Sequence, residues 1–589
     1  MALGRVFFAG IGLIAVLLVP VSAAETFADQ VRTFDADRRR ISQSYDLPWS
    51  PQRRERLDRL YQDWQQTVRQ SDFSALDHDG RVDYLLLRER LTYERALLVE
   101  EAKRQTELEP ILPFLSAINR LQAARWESPQ VDLPSSSLLV GAIPDQVRSI
   151  RERLERGLKD KDKDKDKDKD KDKPGEDALQ ITAVVAARAA GATDELRETL
   201  THWHDAYNGS LPEFPFWMKV PVDEATTALK DFAKFLREEI AALKGKPDDP
   251  LIGDPVGADG LARDLAVEFL PYSVEELLAI GERELAWGEA RMREAAREMG
   301  LGDDWKKALA KVKDTYVPPG QQDAYITEQA KAAIDFVRAK DLVTVPKLCE
   351  ESWRITMINS ETQRQVPYVA YDGSNILAAY ARDDMKAPDK LMSMRGNNRH
   401  FTRLTTAHEL IPGHHLQGFF AERHRSYRRT FWTAFLVEGW ALHWEMTLWD
   451  QGYARSPEDR IGMLFWRMHR AARIIVTLRF HLGQMSPKEM VEFLIERVGH
   501  ERLAATSEVR RFVSGGYSTL YQCSYMIGAL QLQALQREAT ADGRMTVKAF
   551  NDAVLRQGPI PIELIRASLL GVALMPSSVP QWRFDQVKL

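Results

Sequence analysis

Apolar side chains recur every three to four residues along most of the chain. Between residues 53 and 70, for example, Leu57, Leu60 and Tyr61 fall on one face and charged residues fill the other. This spacing is typical of an amphipathic helix packed against a core. The same pattern covers residues 28–124 and 177–244, so it predicts a mainly α protein.

Short polar signals mark where further helices begin. Ser273 stands three residues before Glu276, a capping box that predicts a helix running to about residue 299. Ser456 and Ser486 are each followed by a proline and then, at the third position, by an acid. This arrangement predicts two helices, ending near residues 481 and 498. We expect the last two helices at residues 546–557 and 561–570.

The pattern changes between residues 354 and 382. There Ile355, Met357, Val369 and Tyr371 lie in short apolar runs around a turn at residues 372–374. These features predict a small β-sheet. Such a sheet either offers an edge strand to an extended ligand or covers the neighbouring elements, and the residues favour neither alternative.

Two segments depart from the helical pattern. Residues 159–173 alternate lysine and aspartate and present no apolar face, so we predict a disordered insertion. At the N-terminus, Arg5 precedes an apolar run over residues 6–19 and small residues at 21–24. This order predicts a signal peptide over residues 1–24, because the run is shorter than the ~20 residues that span a bilayer. The mature chain is therefore expected to be exported, periplasmic or secreted, without a membrane span.

The composition is that of a protein with a packed core. The 589 residues are 44% hydrophobic and 28% charged, and we expect residues 25–589 to form one large helical region. Its N-terminal half spans residues 25–270 and its second half residues 271–589. The net charge of −5 without a basic stripe excludes nucleic acid as an expected partner. Cys349 and Cys523 are too few for a disulfide scaffold, and whether they pair stays open.

The main chemical signal lies at residues 408–415. Zinc hydrolases place two histidines at i and i+4 of a helix, with a glutamate beside the first as general base. Here His408 and Glu409 are followed by Pro412 at i+4, and by His414 and His415 beyond it. In an unbroken helix, at ~100° per residue, His415 would lie ~20° from His408 and His414 ~120° away.

Pro412 changes the expected positions of His414 and His415 around the helix. Pro412 has no N–H and its ring clashes with the carbonyl four residues earlier, so the helix is not expected to continue unperturbed. If Pro412 and Gly413 bulge out of the helix, His414 takes the i+4 position. We therefore predict His408 and His414 as Zn²⁺ ligands, with His415 as the alternative to His414.

A catalytic zinc needs a third protein ligand and one open position. Glu438 lies in an apolar helical segment at residues 435–442, where a carboxylate needs a partner. It is the predicted third ligand. Glu445 follows seven residues later, on the same helix face, and either orients a ligand histidine or is an ordinary surface residue.

These segments, together with residues 470–473 and 525–528, resemble in order and spacing the bacterial family called domain of unknown function 885. The resemblance extends over most of the mature chain. It implies a large, mainly helical gluzincin-type metallopeptidase with a deep cleft, similar in architecture to neurolysin, angiotensin-converting enzyme and the thermostable carboxypeptidases. Three positions depart from the family pattern: His443 replaces an expected tyrosine, Thr477 an aspartate and Leu520 a proline.

The matched segments suggest roles for their residues. Glu409 is the predicted general base for a water activated by zinc. Tyr525 is the first choice as donor to the oxyanion that forms during hydrolysis, because it belongs to a matched segment. Tyr517 and Tyr521 are the alternatives.

Two arginines are candidates for binding substrate. Arg470 and Arg473 are three residues apart, on one helix face, and are suited to holding a substrate carboxylate. Equally, they are expected as structural partners of Glu438, Glu445 or Glu508.

Together these observations predict an exported zinc-dependent metallopeptidase that hydrolyses short peptides in a cleft between helical halves. The same zinc chemistry would also serve an amidase or esterase acting on small non-peptide acyl substrates. A third alternative is an exported binding protein on a retired peptidase scaffold. The presence of a glutamate beside the first histidine argues against this last reading.

Overall fold

The fold is known from a computed structural model, which describes residues 26–127, 130–163, 177–246, 249–363, 366 and 368–587. The predicted signal peptide lies outside this range, as do residues 164–173 of the lysine–aspartate stretch. Residues 159–163 of that stretch continue a helix, where the sequence predicted disorder. Among the described helices, none is both long and apolar enough to cross a membrane.

The described chain is mainly α, as predicted, with a small sheet. The helices, numbered in chain order, are α1 (Phe27–Ser44), α2 (Pro51–Gln70), α3 (His78–Leu108), α4 (Leu115–Glu127), α5 (Leu133–Gly141), α6 (Ile143–Lys163), α7 (Ala183–Tyr207), α8 (Phe214–Phe235), α9 (Gly257–Val267), α10 (Val274–Glu298), α11 (Trp305–Lys313), α12 (Gln322–Ala339), α13 (Lys347–Ser352), α14 (Ser360–Gln363), α15 (Ala387–Gly396), α16 (Arg399–Glu409), α17 (His414–Arg423), α18 (Ala434–Asp450), α19 (Pro457–His481), α20 (Pro487–Phe493), α21 (Arg502–Val513), α22 (Tyr521–Thr540), α23 (Val547–Leu555) and α24 (Ile562–Leu570).

Short irregular helical segments complete the list. They are π-helical turns at Leu236–Ile240 and Leu494–Val498 and 3₁₀ turns at Phe73–Ala75, Ser426–Phe431 and Phe584–Gln586.

The predicted sheet is present and has three strands. They are β1 (Arg354–Met357), β2 (Val369–Tyr371) and β3 (Asn375–Ala378), in the order β1-β3-β2. β3 pairs parallel with β1 and antiparallel with β2. β2 is therefore an edge strand, with one side free of sheet hydrogen bonds.

Two large hydrophobic cores hold most of the described helices together, and a third, small cluster joins α12, β3 and Leu410. The smaller of the two large cores is built from residues 108–236, on α4 to α8 and their flanks. The larger core joins residues 27–91 to residues 261–584. The first three helices thus pack partly with the C-terminal half of the chain, and the larger core contains the helices that carry the candidate site.

A pair of glycines lets two of these helices approach closely. A Cβ on Gly528 of α22 would lie 2.0 Å from the carbonyl oxygen of Phe435, and one on Gly439 of α18 would lie 2.7 Å from Gly528. Only glycine fits such a backbone contact. The contact brings the start of α22 next to Glu438 on α18.

Candidate metal centre

The motif histidines lie on two helices rather than one. α16 ends at Glu409, and α17 begins at His414. The sequence predicted a bulge within a continuous helix, whereas the structure has a complete break at residues 410–413. Pro412 cannot donate the next helical hydrogen bond, and the Gly413 N–H instead reaches back 3.1 Å to the Ala407 carbonyl.

This turn is tightly built. A Cβ on Gly413 would lie only 1.8 Å from the carbonyl oxygen of His408, so the return of the chain requires glycine. The indole of Trp440, on α18, donates a hydrogen bond of 2.9 Å to the Pro412 carbonyl. The turn is thereby fixed to the helix that carries Glu438.

The break brings three predicted ligands together. The Nε2 of His414 lies 3.2 Å and the Nε2 of His408 3.8 Å from Oε2 of Glu438. Ligand atoms of His408, Glu409 and His414 all lie within 4.8 Å of one another. Ligand atoms about 2.1 Å from a tetrahedral zinc would be about 3.4 Å apart, so this spacing fits that ion.

Both carboxylate oxygens of Glu438 face polar groups. Its Oε1 accepts a hydrogen bond from the hydroxyl of Tyr521. Its Oε2 is buried and faces the Nε2 atoms of His414 and His408, an arrangement in which these three atoms can bind one cation. Burial raises the pKa of Glu438, but His414 and His408 outweigh burial and hold it well below its ordinary value.

Glu445 is buried beside the first histidine. Its Oε1 lies 2.6 Å from Nδ1 of His408, on the side of the ring opposite Glu438. Burial alone would lower the pKa of His408, but Glu438 and Glu445 raise it to about 9. Glu445 therefore has the position expected of a group that orients a metal-binding imidazole, rather than that of a surface glutamate.

Glu409 is placed as a base would be. Its side chain is buried, lines the cavity beside the histidines and approaches Nε2 of His414 to 3.9 Å. Burial raises its pKa, which brings a carboxylate closer to the range useful for proton transfer near neutral pH.

The imidazole of His415, the alternative ligand, contacts groups other than the predicted metal ligands. Its Nε2 lies 2.8 Å from the Cys349 carbonyl and 3.1 Å from the Ser352 hydroxyl, and its Nδ1 lies 2.9 Å from the Tyr371 hydroxyl. Both ring nitrogens are thus engaged away from Glu438.

The centre opens into a cavity of about 470 Å³. One wall is the edge strand β2, whose Val369 and Tyr371 line the cavity. The neighbouring Tyr368 and Asp372 bond to β3 through their backbones. Because backbone groups alternate along a strand, those of Val369 and Tyr371 point away from β3. This edge can receive an extended chain.

The remaining predicted residues also line this cavity. Arg470 and Arg473 lie on α19, and their guanidinium carbons are 4.6 and 4.4 Å from the centre of the Tyr525 ring. That ring is parallel to His408 at 6.2 Å. Burial raises the pKa of Tyr525 to about 12, so its hydroxyl remains a donor.

The structure gives Tyr521 a contact that the sequence did not predict, and it adds a charged group to the cavity. Tyr521, only an alternative, bonds to Glu438. Glu508 was named only as a structural partner, and Arg511 was not named; both line the cavity. The distance of Glu508 and Arg511 from the motif along the chain does not predict that they line the cavity. The sequence does show a charged cluster, Glu508, Arg510 and Arg511, shortly before the glycines at residues 515–516.

The departures from the family pattern and the cysteines lie outside the centre. His443 is buried, with Nδ1 3.0 Å from the Gln533 amide and Nε2 3.3 Å from Asn551. Cys349 and Cys523 are both buried free thiols, which answers the question of pairing.

Comparisons with known proteins agree with this fold. The model of a family described as a bacterial protein of unknown function, DUF885, matches residues 42–569. No curated protein matches the chain. A candidate lipoprotein of unknown function from Shewanella oneidensis has a similar structure, with a TM-score of 0.65, 16% identity and coverage of 93% of this chain and 100% of its own. A second candidate lipoprotein, from Colwellia psychrerythraea, has a TM-score of 0.56, 15% identity and coverage of 93% and 99%.

Proposed function

Because the chain belongs to the bacterial family DUF885, whose description assigns no activity, we propose a function from the site itself. The protein is an exported zinc-dependent metallopeptidase of gluzincin type that hydrolyses short peptides. The observation that carries this proposal is the convergence of the Nε2 atoms of His408 and His414 on the buried Oε2 of Glu438, beside Glu409.

The residues present fit a zinc ion. Two imidazole nitrogens and one carboxylate oxygen are a common ligand set of catalytic zinc, which keeps a fourth position open. When bound, zinc would polarise the scissile carbonyl and lower the pKa of water to about 7. Glu445, 2.6 Å from Nδ1 of His408, would hold that ring with Nε2 towards the metal.

The other groups of the cavity have distinct tasks. The Glu409 carboxylate accepts a proton from the attacking water and passes it to the leaving amine. The Tyr525 hydroxyl supplies a hydrogen bond to the carbonyl oxygen as negative charge develops on it. The free edge of β2 pairs with the substrate backbone, which aligns an extended peptide across the centre.

Export is proposed on two grounds. The first residues have the order of a signal peptide, and the two similar solved structures are described as candidate lipoproteins.

A single comparison tests the activity. Wild type, Glu409→Gln and Glu422→Gln are purified with zinc, and their metal content and hydrolysis of short peptides and of N-acyl amino-acid esters are measured. Glu422 is an exposed residue of α17 and serves as control. We expect about one zinc per chain in all three and peptide hydrolysis only in wild type and Glu422→Gln. Turnover confined to the esters would replace the peptidase by an esterase, and a Glu409→Gln protein as active as wild type would refute the proposed base.

A further inference from the structure

Two buried arginines of the cavity have hydrogen-bonding capacity that the described residues do not use. Arg470 and Arg473 are 5% and 2% exposed. The Nη1 of Arg473 and the Nε of Arg470 are buried without a hydrogen-bond partner in the described part of the chain. The nearest carboxylate to Arg470, that of Glu445, is 3.6 Å away, beyond a good hydrogen bond. Leaving charged donors unpaired in this way is costly.

The Arg473 guanidinium is nevertheless held firmly. Its Nη2 donates to Glu508 at 2.8 Å and its Nε to Nε2 of His469 at 3.0 Å. Arg511 donates to the same Glu508 oxygen at 3.1 Å. Two nitrogens of the Arg473 guanidinium are thus held by neighbours, and its free Nη1 keeps a fixed direction.

Two histidines, His469 and His500, extend the contacts of the Arg473 guanidinium. The Nε2 of His469 lies 3.0 Å from Nε of Arg473 and 3.1 Å from Oε2 of Glu508. Its Nδ1 lies 2.9 Å from Nε2 of His500, whose Nδ1 is in turn 3.1 Å from the Tyr368 hydroxyl. These contacts hold the Arg473 guanidinium in place. Such preorganised guanidinium groups suit planar anions.

We propose that Arg470 and Arg473 form a subsite for the C-terminal carboxylate of the substrate, so that the enzyme removes residues from the carboxyl end of short peptides. This inference rests on the proposed peptidase function. A substrate with a terminal carboxylate supplies the two acceptor oxygens that the unpaired donors lack.

The distances limit the length of the released fragment. The Tyr525 ring lies 6.2 Å from the His408 ring and 4.6 Å from the guanidinium carbon of Arg470, and these two distances together set an upper limit on the separation of His408 and Arg470. An extended chain rises ~3.3 Å per residue. The scissile carbonyl and the terminal carboxylate are therefore separated by about three residues or fewer, and the products are single amino acids, dipeptides or tripeptides.

The test compares three peptides of the same length with the zinc-loaded enzyme. One has a free C-terminus, the second a C-terminal amide, and the third a free C-terminus with its acidic side chains replaced by amides. We expect amidation of the terminus to lower kcat/KM roughly 10- to 100-fold, the size of a charge-assisted hydrogen bond. Side-chain replacement should leave it within about twofold. Mass spectrometry should show fragments released from the carboxyl end. Equal cleavage of the first two peptides, or a loss that follows the side chains, would overturn the subsite.

Variants assign the effect to the arginines. Arg470→Gln and Arg473→Gln should lose the preference for the free carboxylate while still cleaving the amidated peptide. Arg479→Gln is the control, because Arg479 lies on α19 with a partly exposed side chain paired to Glu282. A preference that survives in both cavity variants would refute the assignment.

A binding measurement separates this inference from the proposed function. Zinc-loaded Glu409→Gln is titrated calorimetrically with an N-acetylated tripeptide as its free acid and as its amide. The acid should bind roughly 10- to 100-fold more tightly, and equal affinities would refute the subsite. If wild type hydrolyses no peptide, the proposed function and the release of C-terminal residues both fall, and the binding ratio alone still decides whether the two arginines bind a terminal carboxylate.

Discussion

Replacing Gly413 by alanine is the most specific perturbation that the turn between α16 and α17 allows. The added Cβ would lie 1.8 Å from the His408 carbonyl oxygen and 2.7 Å from that of Ala407. Both neighbours are backbone atoms, which cannot rotate away. The turn would have to open by roughly 1.5 Å to reach ordinary contact. The next residue, His414, would move with it.

The size of the effect on zinc binding follows from the narrow range of distances that zinc–ligand bonds allow. Zinc–ligand distances vary by about 0.2 Å, so a displacement of roughly 1.5 Å should cost most of the contribution of His414 to zinc binding. We expect the zinc affinity of Gly413→Ala to fall at least ~100-fold and its free energy of unfolding by about 1–3 kcal/mol.

The assay is competition with a chromophoric zinc chelator, with thermal unfolding in parallel. Gly418→Ala is the matched control, because Gly418 lies on α17 and a Cβ there meets nothing within 4 Å. It should bind zinc like wild type and be slightly more stable. Wild-type zinc affinity in Gly413→Ala would refute the view that this turn sets the position of His414.

Three further predictions concern groups around the centre. Glu445→Gln removes the carboxylate beside His408, and zinc affinity measured by chelator competition should fall roughly 10- to 100-fold; an unchanged affinity would contradict the orienting role. Tyr521→Phe removes the hydroxyl that bonds to Glu438, and the free energy of unfolding in urea should fall by about 1–3 kcal/mol; no change would show that the bond stabilises nothing. Burial lowers the pKa of His443 to about 4, so its neutral form stabilises the fold above about pH 6.5 and this contribution is lost as the pH falls towards 4. Between pH 7 and pH 5, wild type should lose up to ~2 kcal/mol more than His443→Gln, and parallel losses would contradict this pKa.

The helices were predictable because their signals are local. The predicted starts at Ser273, Ser456 and Ser486 are all confirmed as N-caps with side-chain hydrogen bonds. The helix expected to end near residue 481 does end there. The last two helices differ from their predicted bounds by two residues or fewer. In each case the deciding contact lies within three or four residues of the chain.

The turn at the motif could be predicted only in part. The residue pattern indicated that Pro412 interrupts the helix and that His414 is displaced towards Glu438. It did not predict that a second helix begins at His414, nor that Trp440 bonds to the Pro412 carbonyl in the intervening turn. That contact joins residues 28 positions apart.

The arginine cluster shows the limit of sequence reasoning most clearly. Glu508 lies 35 residues from Arg473 in the chain, and His469 lies 31 residues from His500. Their contacts exist because α19 and α21 meet over the larger core. Spacing along the chain does not predict such pairs. In the structure Arg473 pairs with Glu508 and Arg470 approaches Glu445, as the structural alternative expected, and both arginines also line the cavity.

The central claim is that His408, His414 and Glu438 hold one zinc ion, and two adjacent histidines provide the sharpest test of it. Zinc is quantified by mass spectrometry in wild type, His414→Ala and His415→Ala after equilibration with zinc, gel filtration and a check of folding by circular dichroism. The account predicts about one zinc per chain in wild type and His415→Ala and none in His414→Ala. Full zinc content in His414→Ala, or its loss from a folded His415→Ala protein, would contradict it.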